Sequence, residues 1–133
     1  MKVGKARIAN LADVNRRVYA DKKTSSRVLF ANDAWDVASG EKMSSMAFFS
    51  SGVLELPTGG EIASHKHLHR EEIYFVLQGS GEITADGKTV TVKEGHAIWF
   101  PAETEHRAYN PNEETLLFYF ATAVIEPGHM SHD

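Results

Sequence analysis

Apolar residues in this chain recur in short alternating runs, not at helical spacing. In Glu72 to Gln78, Glu72, Tyr74 and Val76 share one face while Phe75 and Leu77 take the other, the period-2 pattern of a strand. Leu116 to Val124 is a longer run with the same two-sided character. Between these lie short strand-like segments: Arg27 to Ala31, Glu61 to His67, Ala97 to Phe100 and His106 to Tyr109. Met46 to Phe49 and Val53 to Leu56 read as one strand broken by a bulge at Ser51-Gly52. Glu82 to Ala85 and Thr89 to Val92 flank Asp86-Gly87-Lys88, a hairpin turn signal. Pro57 to Gly60 and Pro111 to Glu114 read as turns.

Many short strands at even spacing predict an all-β sandwich or barrel. The first 25 residues carry a sparse pattern, Val3, Ile8, Leu11, Val14 and Val18, that predicts an edge strand and a short helical turn. Asp33 to Ser45 is mixed, with a break at Gly40. The tail from Glu126 to Asp133 reads as frayed, and its His129 and His132 invite only adventitious metal. The expected organisation is one domain: an N-terminal extension over 1–45, a barrel over 46–125 and a flexible tail over 126–133.

Composition narrows the chemistry. With no cysteine in 133 residues there is neither a disulfide framework nor a thiolate metal site. A formal net charge of −4 without a basic stripe argues against nucleic acid. No apolar run reaches the length of a membrane span, and the N-terminus lacks a hydrophobic signal core. A cytoplasmic protein with no membrane partner is the expectation.

Against that background one constellation stands out. His65 and His67 are two apart and share a strand face, and Glu72 follows after a polar turn, Leu68 to Glu71. His106 opens another strand after the reversal Pro101 to Glu105. Three imidazoles and a carboxylate suit a divalent transition metal, and Fe, Mn, Ni, Co and Zn all accept nitrogen and oxygen donors. One such ion per chain is expected on His65, His67, Glu72 and His106. Open coordination positions imply a small-molecule substrate.

These residues resemble the two motifs of the cupin superfamily. Gly59, His65, His67, Glu72 and Gly79 stand at every position of the first motif, and Gly95, Pro101, His106 and Asn110 stand in the second. Glu103 occupies the place where the family usually has glycine, a substitution that bears on the turn because glutamate resists positive φ. The resemblance covers residues 59–110 directly. It implies a small single-domain cupin of the conserved-barrel type, a double-stranded β-helix or jelly roll. It also implies a metal centre serving dioxygenase or oxidase chemistry first. Redox-neutral lyase, isomerase or cyclase chemistry comes second, and a non-enzymatic sugar- or acid-binding barrel third, because the fold hosts many activities.

Several other residues carry two readings. Tyr74 should face the cavity, as a packed aromatic or as a phenol acting in catalysis; an inward tyrosine here is similar to the arrangement in cupin lyases that cleave dimethylsulfoniopropionate. His69 falls in the turn, as an exposed loop residue or as an alternative ligand or proton shuttle. His96 is placed to cap a turn, Asn110 to fix the turn after its strand, and Arg107 to point outward. Phe48, Trp99, Phe100, Phe118 and Phe120 are assigned to core and cavity wall, and Glu103 and Glu105 to solvent at the barrel mouth. The outer face bearing Phe75 and Leu77 needs cover, so a folded-over N-terminal segment, a homodimer or both are expected.

Overall fold

The structure is a computed structural model and describes residues 2–31 and 48–125. The expectations placed on Asp33 to Ser45, on Met46 and on the tail with His129 and His132 lie outside the described residues, as does the side chain of Phe48. Twelve strands and one short 3-10 helix follow in order among the described residues. The extension holds β1 (Lys2–Val3), β2 (Ala6–Arg7), the 3-10 turn Leu11–Asp13, β3 (Arg17–Val18) and β4 (Ser25–Ala31). Then come β5 (Phe48–Leu56), β6 (Glu61–His65), β7 (Arg70–Gln78), β8 (Ser80–Ala85) and β9 (Lys88–Lys93). The last three are β10 (Ala97–Phe100), β11 (His106–Tyr109) and β12 (Leu116–Val124).

All pairings are antiparallel. β1 and β2 form a small ribbon; a six-stranded sheet runs β10-β7-β12-β5-β4-β3, and a four-stranded sheet runs β6-β11-β8-β9. Both sheets give inward side chains to one core. Leu54, Leu56, Val76 and Phe118 come from the larger sheet, and Ile62, Ile83 and Ala108 from the smaller. This is the all-β jelly-roll barrel expected from the sequence.

The turns follow from local chemistry. Asp86 and Gly87 have φ of 49° and 79°, so β8 and β9 meet through a two-residue turn with both centres left-handed. Gly79 has φ 80°, and a Cβ there would lie 2.8 Å from the Thr115 carbonyl oxygen, so this turn requires glycine twice over. Asn110 is fully buried: its amide donates to the carbonyls of Leu56 and Glu114, and its oxygen accepts from Asn112 N–H. It fixes the turn after β11 as expected. His96 Nδ1 accepts from Lys93 N–H at 3.0 Å and so caps its turn.

Two expectations change. β5 is continuous from Phe48 to Leu56; the register shift beside Ser51-Gly52 puts its extra residue in β4, between Val28 and Phe30, and a second shift against β12 skips Phe49. The cause of the first is Gly52, where a Cβ would come within 1.9 Å of the Arg27 carbonyl oxygen: the two backbones approach too closely for any side chain. Trp99 is not a core residue. It is 51% exposed on the outer face of β10, with its indole N–H donated to Glu71 at 3.1 Å.

Candidate metal centre

The ligand strands meet where β6, β7 and β11 converge. His65 at the end of β6 pairs in register with His106 at the start of β11, although β6 and β7 belong to different sheets. β7 begins at Arg70, so the turn between His67 and Glu72 is shorter than the sequence suggests, and Glu72 points inward from the larger sheet. One donor atom from each of His65, His67, Glu72 and His106 lies within 4.8 Å of the others. The polar residues needed for a metal site are thus brought together across the mouth of the barrel.

Hydrogen bonds set the ring orientations. His65 Nδ1 donates to the Ala63 carbonyl at 2.8 Å, and His106 Nδ1 donates to the Thr104 carbonyl at 2.9 Å. A carbonyl only accepts, so each ring carries its Nδ1 proton outward and turns Nε2 toward the centre, the arrangement metal-binding histidines adopt. His106 Nε2 lies 3.1 Å and His67 Nε2 3.8 Å from Glu72 Oε1. Arg70 donates from its guanidinium to His67 Nδ1 at 2.9 Å. Phe100 supports the centre from below, its ring stacked on His106 at 4.1 Å and 14°.

Electrostatics favour the ligand forms. Burial acts to raise the Glu72 pKa, but the hydrogen bonds and charges of His106 and His67 outweigh it and hold the carboxyl below its ordinary value. Burial lowers the His65 pKa, reinforced by His106 and His67. A carboxylate and an uncharged imidazole are the states that coordinate. The donor set, its convergence and the states of Glu72 and His65 therefore fit a divalent cation.

The centre lines a cavity of about 290 Å³. Tyr74 faces it from β7, 2% exposed, as expected. Burial, the Glu72 charge and a hydrogen bond to Glu72 push its hydroxyl well above the ordinary phenol range, so it keeps its proton at neutral pH. Phe120 is also on the wall, while Phe118 and Phe100 lie in the core beside Tyr74, at 4.9 and 5.1 Å. His69 is exposed, outside both the donor cluster and the cavity lining, with its carbonyl accepting from Ile125 N–H. Arg107 points away and pairs with Glu61, and Glu103 and Glu105 are exposed.

The far wall was not foreseen. Arg17 comes from β3, Tyr19 directly follows it and Ser26 comes from β4, while Ser50 and Thr122, mutually hydrogen-bonded at 2.8 Å, come from β5 and β12. Arg70 completes the polar lining. The only signal for Arg70 was its place three residues after His67, where a turn assignment hid it; the serines carry none, since polar residues on sparse strands look solvated.

A sequence profile of the Cupin domain matches residues 52–122, more than half of the chain. The chain belongs to the cupin family. It is 40% identical over 55 residues to an uncharacterized protein of Methanocaldococcus jannaschii, covering 41% of this chain and 44% of that one. It is 32% identical over 76 residues to the dimethylsulfoniopropionate lyase DddW of Ruegeria pomeroyi, covering 56% and 49%. An oxalate-binding protein of Thermotoga maritima is 32% identical over 65 residues, covering 49% and 54%. The matched part thus spans about half the length of these relatives. In fold, the chain is similar to the crystal structure of a predicted oxalate decarboxylase from Thermotoga maritima: TM-score 0.75, 20% identity, 90% of this chain and all of that one. Among the described residues no helix is long and apolar enough to cross a membrane.

Proposed function

We propose that this cupin is a metal-dependent enzyme acting on a small oxygenated organic molecule. His65, His67, Glu72 and His106 would hold one divalent ion, Fe, Mn, Ni, Co or Zn, and residues 46–125 would form the barrel that carries it. The observation that carries this reading is the convergence of four donors within 4.8 Å, three of them on the wall of a cavity. When bound, such an ion supplies either dioxygen activation or Lewis-acid polarisation of a chelating oxygen group. Dioxygenase- or oxidase-type chemistry is the first choice. The protein's own part is to bind and orient: the hydroxyl wall of Ser26, Ser50 and Thr122 meets substrate oxygens, and Phe120 and Leu54 exclude water.

Redox-neutral lyase, isomerase or cyclase chemistry is the second reading, and Tyr74 favours it. A buried phenol that holds its proton beside Glu72 is placed to donate to a developing oxyanion or leaving group. The likeness to a dimethylsulfoniopropionate lyase supports the same reading. Tyr74→Phe should abolish turnover while leaving metal content intact; retained turnover removes Tyr74 from the chemistry. A binding barrel without turnover is the third reading, supported by the oxalate-binding relative.

The deciding experiment is elemental mass spectrometry of untagged protein beside the His65→Ala/His106→Ala double variant. Near-stoichiometric iron or manganese, lost in the variant, supports the first reading and leads to dioxygen-uptake assays. Zinc or nickel lost the same way moves the second ahead. No metal in either, even after reconstitution, rejects the metalloenzyme. Small acids that raise the melting temperature without being converted would favour the binding barrel.

The same reading takes the chain as a homodimer. Ile73, Phe75, Leu77, Trp99 and Tyr119 form an exposed apolar row on the outer face of the larger sheet, and Leu11 of the extension reaches only the Val53 and Leu117 end of that face. Light scattering of wild type and Phe75→Lys checks it: a dimer is expected for the first and a monomer for the second.

A further inference from the structure

Arg70 treats His67 differently from the way backbone carbonyls treat the other two histidines. A guanidinium has donors only. Its 2.9 Å hydrogen bond to His67 Nδ1 therefore requires a lone pair on that nitrogen. A neutral imidazole with a lone pair at Nδ1 carries its proton at Nε2. That nitrogen is the one 3.8 Å from Glu72 Oε1, on the side of the donor cluster. His65 has the opposite tautomer, set by Ala63; His106 donates through Nδ1 to Thr104, and its Nε2 lies 3.1 Å from Glu72 Oε1. His65 is thus ready to coordinate, while the Arg70 hydrogen bond excludes a proton from His67 Nδ1 and so holds that ring in the wrong form.

We propose that Arg70 gates the metal centre by holding His67 in its non-ligating tautomer. Metal loading would release the guanidinium into the cavity, where it becomes the anchor for a carboxylate group of the substrate. This rests on the metalloenzyme reading above and adds to it a substrate class, small organic acids. The geometry supports both halves. Arg70 already lines the cavity, so release needs no rearrangement of the strand. Its guanidinium also lies 4.2 Å over the Phe49 ring, which braces it in the pose that holds His67. Arg17 lines the same cavity, so an anion held by Arg70 meets a second positive charge. Metal and acid then reinforce each other's binding, because each favours the state in which Arg70 has left His67.

The test compares wild type with Arg70→Met and Arg70→Gln, both of which remove the fixed charge but keep an unbranched side chain. Long-range proton–nitrogen correlation spectra of the metal-free wild type should show His67 as the Nε2–H tautomer and His65 as Nδ1–H. His67 observed as Nδ1–H in the wild type overturns the gate. Zn(II) affinity, measured by competition with a chromophoric chelator, should rise about tenfold in both variants, the scale of one net hydrogen bond. Acetate affinity of the Zn(II)-loaded protein should fall about tenfold in the same variants. A residue that merely supports the fold would weaken both. Zn(II) affinity that is unchanged or lower in both variants overturns the gate, and unchanged acetate affinity overturns the anchor. If wild type and variants all fail to bind Zn(II), the metalloenzyme reading falls and this inference with it.

Discussion

Phe100 lies flat against His106, ring centroids 4.1 Å apart and planes 14° from parallel. Phe100 is 2% exposed and also meets Tyr74 edge-on at 5.1 Å, so one aromatic braces both the innermost histidine and the cavity tyrosine. Phe100→Ala would leave a void under the centre that rigid strands cannot close. The expected cost is about 3–5 kcal/mol in denaturant unfolding. Metal affinity should weaken with it, because His106 loses the surface that fixes its ring plane. A cost below about 1 kcal/mol would show that the barrel collapses around the gap.

Gly52 makes the second prediction. A methyl group there would sit 1.9 Å from the Arg27 carbonyl oxygen, which is backbone and cannot swing away. Gly52→Ala must push β4 off β5, and β4 carries Ser26 and Val28 of the cavity wall. The expected loss is about 3 kcal/mol or more, with loss of amide protection in β4 before the rest of the barrel. Near wild-type stability by chemical denaturation would contradict this close approach.

Glu103 makes the third, and its sign is opposite. It has φ 66°, the left-handed region where its family position usually has glycine. Its N–H donates to the His67 carbonyl at 2.7 Å, so the turn is tied to the ligand strand and cannot relax out of that conformation. The side chain is exposed, and nothing among its described contacts offsets the backbone strain. Left-handed backbone costs a non-glycine residue about 1–2 kcal/mol, and glycine gives part of this back through its floppier unfolded state. Glu103→Gly should therefore stabilise by about 0.5–1 kcal/mol, read as a higher melting temperature. A lower melting temperature would mean that Glu103 makes a favourable contact.

Most of the barrel was legible because its strands carry alternation that only one facing satisfies. Tyr74 and Val76 inside with Phe75 and Leu77 outside could be read directly, and Leu116–Val124 matched the observed β12 to the residue. The four donors were legible from their spacing and motif, although only His65 and His106 end or begin a strand: His67 lies past β6, and Glu72 is the third residue of β7. Trp99 misled because a tryptophan beside buried Phe100 suggests core, whereas strict alternation sends it outward to Glu71. An irregularity was expected at Ser51-Gly52 of β5, but its extra residue falls in β4, because the missing Cβ of Gly52 lets the Arg27 backbone approach. Arg70 was missed because charge and polarity suggested turn, while its backbone already pairs with Val124 in β7 and β12.

Asp21, also unmarked by any motif, couples the extension to the ligand strand. Its carboxylate accepts from Thr24 Oγ1, from the N–H of Lys23 and Thr24, and from Glu61 N–H at 2.9 Å, the first residue of β6. Burial acts to raise its pKa, but the Thr24 hydroxyl and the three backbone donors outweigh it and hold the carboxyl well below the usual carboxylate range. Unfolded, the group titrates near ~3.9. Because the folded value is the lower one, Asp21 stabilises the fold fully above about pH 4. That contribution is lost as pH falls through the folded value. Asp21→Ala should then cost about 1–2 kcal/mol at pH 7, and the gap to wild type should narrow steadily in melts taken from about pH 4 down to pH 2. The start of β6 should also lose amide protection, since Glu61 N–H keeps only its bond to Thr24 Oγ1. A gap that stays constant across that range would mean the Asp21 hydrogen bonds stabilise the neutral acid as well as the carboxylate.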